Sequence, residues 1–65
     1  MTTLLKLERL RRKWSLVKLG GMTNIHPTEI SRVERGLAVP YPAHRQRLAR
    51  ALKIPAEDLV KPATE

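Results

Sequence analysis

A chain of 65 residues makes one small domain, with no room for a second core or a ligand-sensing domain. It has no cysteine, only two histidines (His26 and His44, eighteen positions apart), and no apolar run near the roughly 20 residues that span a bilayer. Disulfides and thiolate metal sites are therefore excluded, two distant histidines make a poor zinc site, no signal-peptide pattern precedes the domain, and a soluble, intracellular protein is expected.

In chain order, "TLLKLERLRRK" over residues 3–13 joins strong helix formers behind a threonine available as a cap, which predicts a first helix. Leu7, Leu10 and Trp14 would share one face of it, with Leu5 nearer Arg9. So small a core cannot centre on both stripes, and the one left over is free to cover a partner. Ser15 is a good N-cap for a short second helix, Leu16 to about Met22, despite the Gly20–Gly21 pair. Asn24 suits a left-handed turn. His26 then caps a third helix with Pro27 at its first position, Glu29 placed like the acid of a capping box, and Gly36 at its end. "LAVPYP" reads as a loop, because prolines 40 and 42 forbid regular structure across it. Pro42 starts a fourth helix to about Lys53, with Leu48 and Leu52 inward and Arg47 and Arg50 outward. Pro55 starts a short fifth helix through Val60, and residues 61–65 read as a frayed tail. No β-alternating run or repeat interrupts this, so the expected fold is all-α: a compact bundle of four to five short helices.

Thirteen Lys and Arg against six Asp and Glu give a net charge of +7 and a pI near 10.9. Residues 1–53 carry +9 and residues 54–65 carry −2, so a basic body points to a polyanionic partner. Only Trp14 and Tyr41 are aromatic, which leaves little for a base-stacking platform. On a helical wheel of about 100° per residue, Ile30 and Val33 share one side of the third helix with Glu34 at its margin. Pro27, Thr28, Ser31, Arg32 and Arg35 take the other side. Small polar residues at 28 and 31 allow close approach, as for a helix in the major groove.

A short helix, a tight turn and a polar-faced helix make a helix-turn-helix over about residues 16–35. The stretch "WSLVKLGGMTNIHPTEISRVERG" resembles the Cro and phage-repressor type of helix-turn-helix regulators, also called the xenobiotic-response-element family. The matches in register are Ser15, Leu19, Gly20, Ile25, Ile30, Ser31, Val33, Glu34, Arg35 and Gly36, and "VPYPAHRQRLARALKIPAEDL" is similar to the family's fourth and fifth helices. The resemblance covers residues 5–60 and implies a lambda-repressor-like DNA-binding domain. Three positions depart from it: Leu16 replaces a usual Gln, Asn24 the usual turn glycine, and Lys13 a common glycine before residue 14.

By position, the resemblance implies base-edge contacts from Pro27, Thr28 and Arg32, with Ser31 assisting. Arg32 is the candidate for a guanine, and Pro27 offers only apolar contact, for example to a thymine methyl. Lys18, Arg35, Tyr41 and Arg45 take the role of phosphate contacts, with the Ser15 hydroxyl and the backbone amides beside it. His26 reads as a cap rather than a DNA contact. Relatives pair the acid at Glu34 with an arginine of the first helix, which implies a partly buried ion pair with Arg9.

The expected function is sequence-specific binding of double-stranded DNA by a transcriptional regulator, a repressor acting as a homodimer on an inverted repeat. It would work in the cytoplasm, on the nucleoid of a prokaryotic or phage-like system, without cofactor, metal or small-molecule ligand. One rival is an antitoxin-like interaction module that binds DNA only with a partner protein. The other is charge-driven binding to RNA or anionic surfaces. Catalysis is not expected, because no catalytic carboxylate pair, phosphate loop or metal-ligand cluster is evident.

Overall fold

Among the described residues, four α-helices and one 3-10 turn follow in chain order: α1 (Leu4–Arg11), α2 (Leu16–Thr23), α3 (Pro27–Glu34), α4 (Pro42–Leu52) and the turn Ala56–Asp58. This computed structural model describes residues 2–63. Three starts are capped by side chains: Thr3 accepts from Lys6 N–H, Ser15 from Lys18 N–H, and His26 Nδ1 from Thr28 N–H. The Glu29 carboxylate does not close a capping box and lies instead 3.6 Å from His44 Nδ1.

All four helices stop in the same way. Lys13, Asn24, Gly36 and Lys53 each turn into the left-handed region, with φ of 57°, 58°, 75° and 57°. The following N–H then reaches back five residues: Trp14 to Arg9 O, Ile25 to Gly20 O, Leu37 to Arg32 O and Ile54 to Ala49 O. Three of the four turns use a side chain that strains there, Asn24 least. Lys13→Gly is expected to raise stability by about 1 kcal/mol, read as a higher urea midpoint at unchanged slope. A lower midpoint would show that Lys13 holds its turn through its side chain.

The core is small. Leu5, Leu19, Ile30, Leu48, Leu52 and Leu59 are fully buried, with Ile25, Val33 and Ala49 around them. On α1 the inward stripe is therefore Leu5 and Arg9, whereas Leu10 is 51 % exposed. Trp14 leaves the face expected of it, because α1 ends at Arg11 and the Lys13 turn redirects the chain. Its ring is half-buried against the core, 5.7 Å from the Arg12 guanidinium. Arg12 donates to Leu52 O at 2.7 Å, tying the end of α1 to a carbonyl at the end of α4. It also donates to Glu8 Oε1 at 2.6 Å, and this bond above all holds the Glu8 carboxyl below the usual carboxylate range.

Two expectations at the C-terminal end are corrected. The fifth helix is only the 3-10 turn Ala56–Asp58, since Leu59 drops into the core. Residues 61–63 are not frayed. Leu4 N–H donates to Lys61 O at 2.9 Å, Leu5 N–H to Leu59 O at 3.0 Å, and Ala63 N–H to Thr2 O at 2.7 Å, with an isolated antiparallel bridge between Thr3 and Pro62. The tail thus satisfies the orphan donors at the start of α1. Residues 64 and 65 lie outside the described residues.

Candidate nucleic-acid interface

The middle of the chain builds a helix with one committed face. Ile30, Val33 and Glu34 are buried under α3, while Thr28, Arg32 and Arg35 are exposed and Pro27 and Ser31 half-buried. Gly20 sets how closely α2 approaches. A Cβ there would lie 2.6 Å from Ile25 O and 3.2 Å from Pro27 Cγ, so only hydrogen fits. Part of the Pro27 ring is accordingly taken up by α2. Beneath α3, Arg9 Nε donates to Glu34 Oε2 at 2.7 Å and Arg9 Nη2 to Glu34 Oε1 at 3.1 Å, while Arg9 Nη1 donates to Trp14 O at 2.8 Å. Thr3 Oγ1 donates to Glu34 O at 3.3 Å. The far end of α3 is thus anchored on α1 by one carboxylate and one carbonyl.

The helix starts divide into two kinds. At α3 the amides are consumed internally: Thr28 N–H goes to His26 Nδ1, and Glu29 and Ile30 N–H to His26 O at 3.0 and 3.2 Å. At α2, Ser15 takes the N–H groups of Lys18 and Leu19, but those of Leu16 and Val17 have no acceptor among the described residues. At α4, Tyr41 provides no side-chain cap, Pro42 has no N–H, and Arg45 N–H reaches Tyr41 O at 2.8 Å. Ala43 and His44 N–H are left without acceptors among the described residues. Two helix ends with free amides and positive dipoles can therefore each take an anion, and α3 cannot take one that way.

Side chains around these ends differ in freedom. Ser15, Lys18 and Tyr41 are exposed, and Arg45 is half-buried with its Nε covered and without an acceptor. Tyr41 stands edge-on to His44, with centroids 5.4 Å apart and planes at 78°. Glu29 of α3 approaches His44 at 3.6 Å, the side-chain contact that links the start of α4 to α3. His26, Thr28, Glu29, Arg32, Ala38, Val39 and Tyr41 line one open groove. It brings Tyr41 beside Thr28 and Arg32 of α3, whereas Pro27, Ser31, Ser15, Lys18, Arg35 and Arg45 lie outside it. Pattern reading missed the free amides of Ala43 and His44, although the absence of Ser, Thr or Asp before Pro42 was a signal for them. It also passed over Val39, which carried none.

A family model described as helix-turn-helix matches residues 5–59, most of the chain. The chain belongs to that family, the Cro and phage-repressor type of helix-turn-helix regulators, and so to a class of DNA-binding transcription regulators. No curated protein and no solved structure matches it significantly. Among the described residues no helix is long and apolar enough to cross a membrane, and no group of three or more His, Cys, Asp or Glu is placed to hold a metal ion.

Proposed function

We propose that the protein binds double-stranded DNA sequence-specifically, with α3 in the major groove and the starts of α2 and α4 on the phosphates to either side. The observation that carries this is the contrast between helix ends. Free amides occur at α2 and α4, while the helix between them keeps its amides occupied and turns Thr28 and Arg32 outward. Phosphate positioning and base reading are thereby assigned to different elements.

In this reading Arg32 bonds a guanine through O6 and N7, Thr28 and Ser31 bond base edges, and the free part of the Pro27 ring meets an apolar edge. Ser15, Lys18, Arg35, Tyr41 and Arg45 hold phosphates, and displacement of counterions by the basic body supplies much of the affinity. Two copies read an inverted repeat with half-sites about one helical turn apart, and any repression would follow from occluding polymerase. The test is selection from a randomised duplex library with excess competitor DNA at about 0.15 M salt, where non-specific binding is weak. An enriched inverted repeat is the expected result. Binding that disappears with salt regardless of sequence would overturn the reading.

One observation favours a second reading. Leu10 is 51 % exposed on α1, away from the groove, which suits a module that engages DNA only together with a partner protein. Enrichment by the pure chain alone excludes that alternative.

A further inference from the structure

We propose that Val39, in the loop between α3 and α4, is a specificity-determining residue that reads the 5-methyl group of a thymine next to the base pair contacted by Arg32. The proposal rests on the DNA-binding reading above and extends its site to a residue outside the helix-turn-helix.

Val39 is 80 % exposed, the most of any large apolar side chain among the described residues, and it takes no part in the core. It is not isolated on a neutral surface. It lines the same groove as Thr28, Arg32 and Tyr41, within the surface that a ligand held by Arg32 and Thr28 would cover. The major-groove edge of DNA offers few apolar groups, and the thymine methyl is the one a short branched side chain can cover. An apolar residue there gains nothing from phosphates, which need donors or positive charge.

The loop that carries Val39 is anchored at both ends. On one side, Gly36 N–H bonds Val33 O at 3.1 Å and Leu37 N–H bonds Arg32 O at 2.8 Å, closing the end of α3. On the other, Pro40 is buried and Pro42 begins α4. A β-branched side chain between these anchors has few rotamers to lose on contact. Leu37, 60 % exposed, lies outside the groove and serves as an internal control.

The experiment starts from the duplex enriched by the wild-type protein. Each thymine is replaced in turn by uracil, which removes only the methyl, and affinity is measured for wild type, Val39→Ala, Val39→Thr and Leu37→Ala. Wild type is expected to bind roughly three- to five-fold more weakly when one particular methyl, beside the Arg32-dependent position, is removed. Val39→Ala should bind the thymine duplex about as weakly as wild type binds the uracil duplex and lose nothing further on the exchange. Val39→Thr, which keeps one methyl of two, should fall between them, and Leu37→Ala should keep the full thymine preference.

If Val39→Ala retains the wild-type response to every uracil, the methyl is read by another side chain, such as Pro27 or Thr28, and the proposal is wrong. It is equally wrong if wild type selects a site yet ignores every methyl. If wild type selects no site at all, the DNA-reading function itself fails, and the assignment of Val39 falls with it.

Discussion

Replacing Glu34 by Gln is expected to destabilise the protein by about 3–5 kcal/mol, the cost of leaving a buried charge without its counter-charge. The pair is well enclosed: the Arg9 and Glu34 side chains are 9 % and 4 % exposed, and the guanidinium reaches both carboxylate oxygens. Gln offers one acceptor where the carboxylate offers two, and its amide N–H groups face the donors of Arg9. The guanidinium would remain buried without its counter-charge, held by Trp14 O and at most the one amide oxygen of Gln. A domain of this size keeps only about 3–5 kcal/mol in its core, so the variant should be largely unfolded at 25 °C, seen as lost helical ellipticity. Arg9→Met combined with Glu34→Leu should recover much of the loss, because it removes both charges together. A melting temperature for Glu34→Gln equal to that of wild type would show that the pair contributes nothing. The consequence would reach the interface as well, since the pair fastens the far end of α3 to α1.

Arg32→Ala should leave the fold intact, because the side chain is exposed and bonds nothing in the protein. On the selected site it should cost about 1–3 kcal/mol of binding and relax the base preference at one position of each half-site. Arg35→Ala is the contrast: lost phosphate positioning weakens all sequences alike and lowers the salt dependence by about one unit of slope. Repeating the selection with each variant separates the two roles. A uniform loss of affinity with an unchanged consensus would move Arg32 among the phosphate contacts and leave base reading to Thr28 and Ser31.

Legibility in the sequence followed the range of each interaction. Ser15, His26, Asn24 and Gly36 act on backbone groups within a few residues, and their side-chain chemistry announces the role. The same left-handed turn at Lys13 and Lys53 was invisible to pattern, because nothing about lysine favours positive φ. Missing the Lys13 turn is what misplaced Trp14 on the face of α1. Arg12 to Leu52 O and Leu4 to Lys61 O join positions far apart in the chain, with no local signature at either end. The acid at Glu34 was visible at the edge of an apolar face, but its partner in the first helix came only through the resemblance. For the interface, the outward side of α3 followed from helical periodicity. The free amides at the start of α4 needed a full account of hydrogen bonds, and Val39 needed the groove.

The strand-like contact between Thr3 and Pro62 shapes how the domain comes into being. The first donors of α1 find their acceptors in residues 59 and 61, so this helix is completed by a segment made more than fifty residues later. An emerging chain can form α2 and α3 from local signals, but the first two donors of α1 depend on water until that segment arrives. The same pairing sets Thr2 O and Ala63 N 2.7 Å apart, so the first and last described segments of the domain brace one another like two short strands.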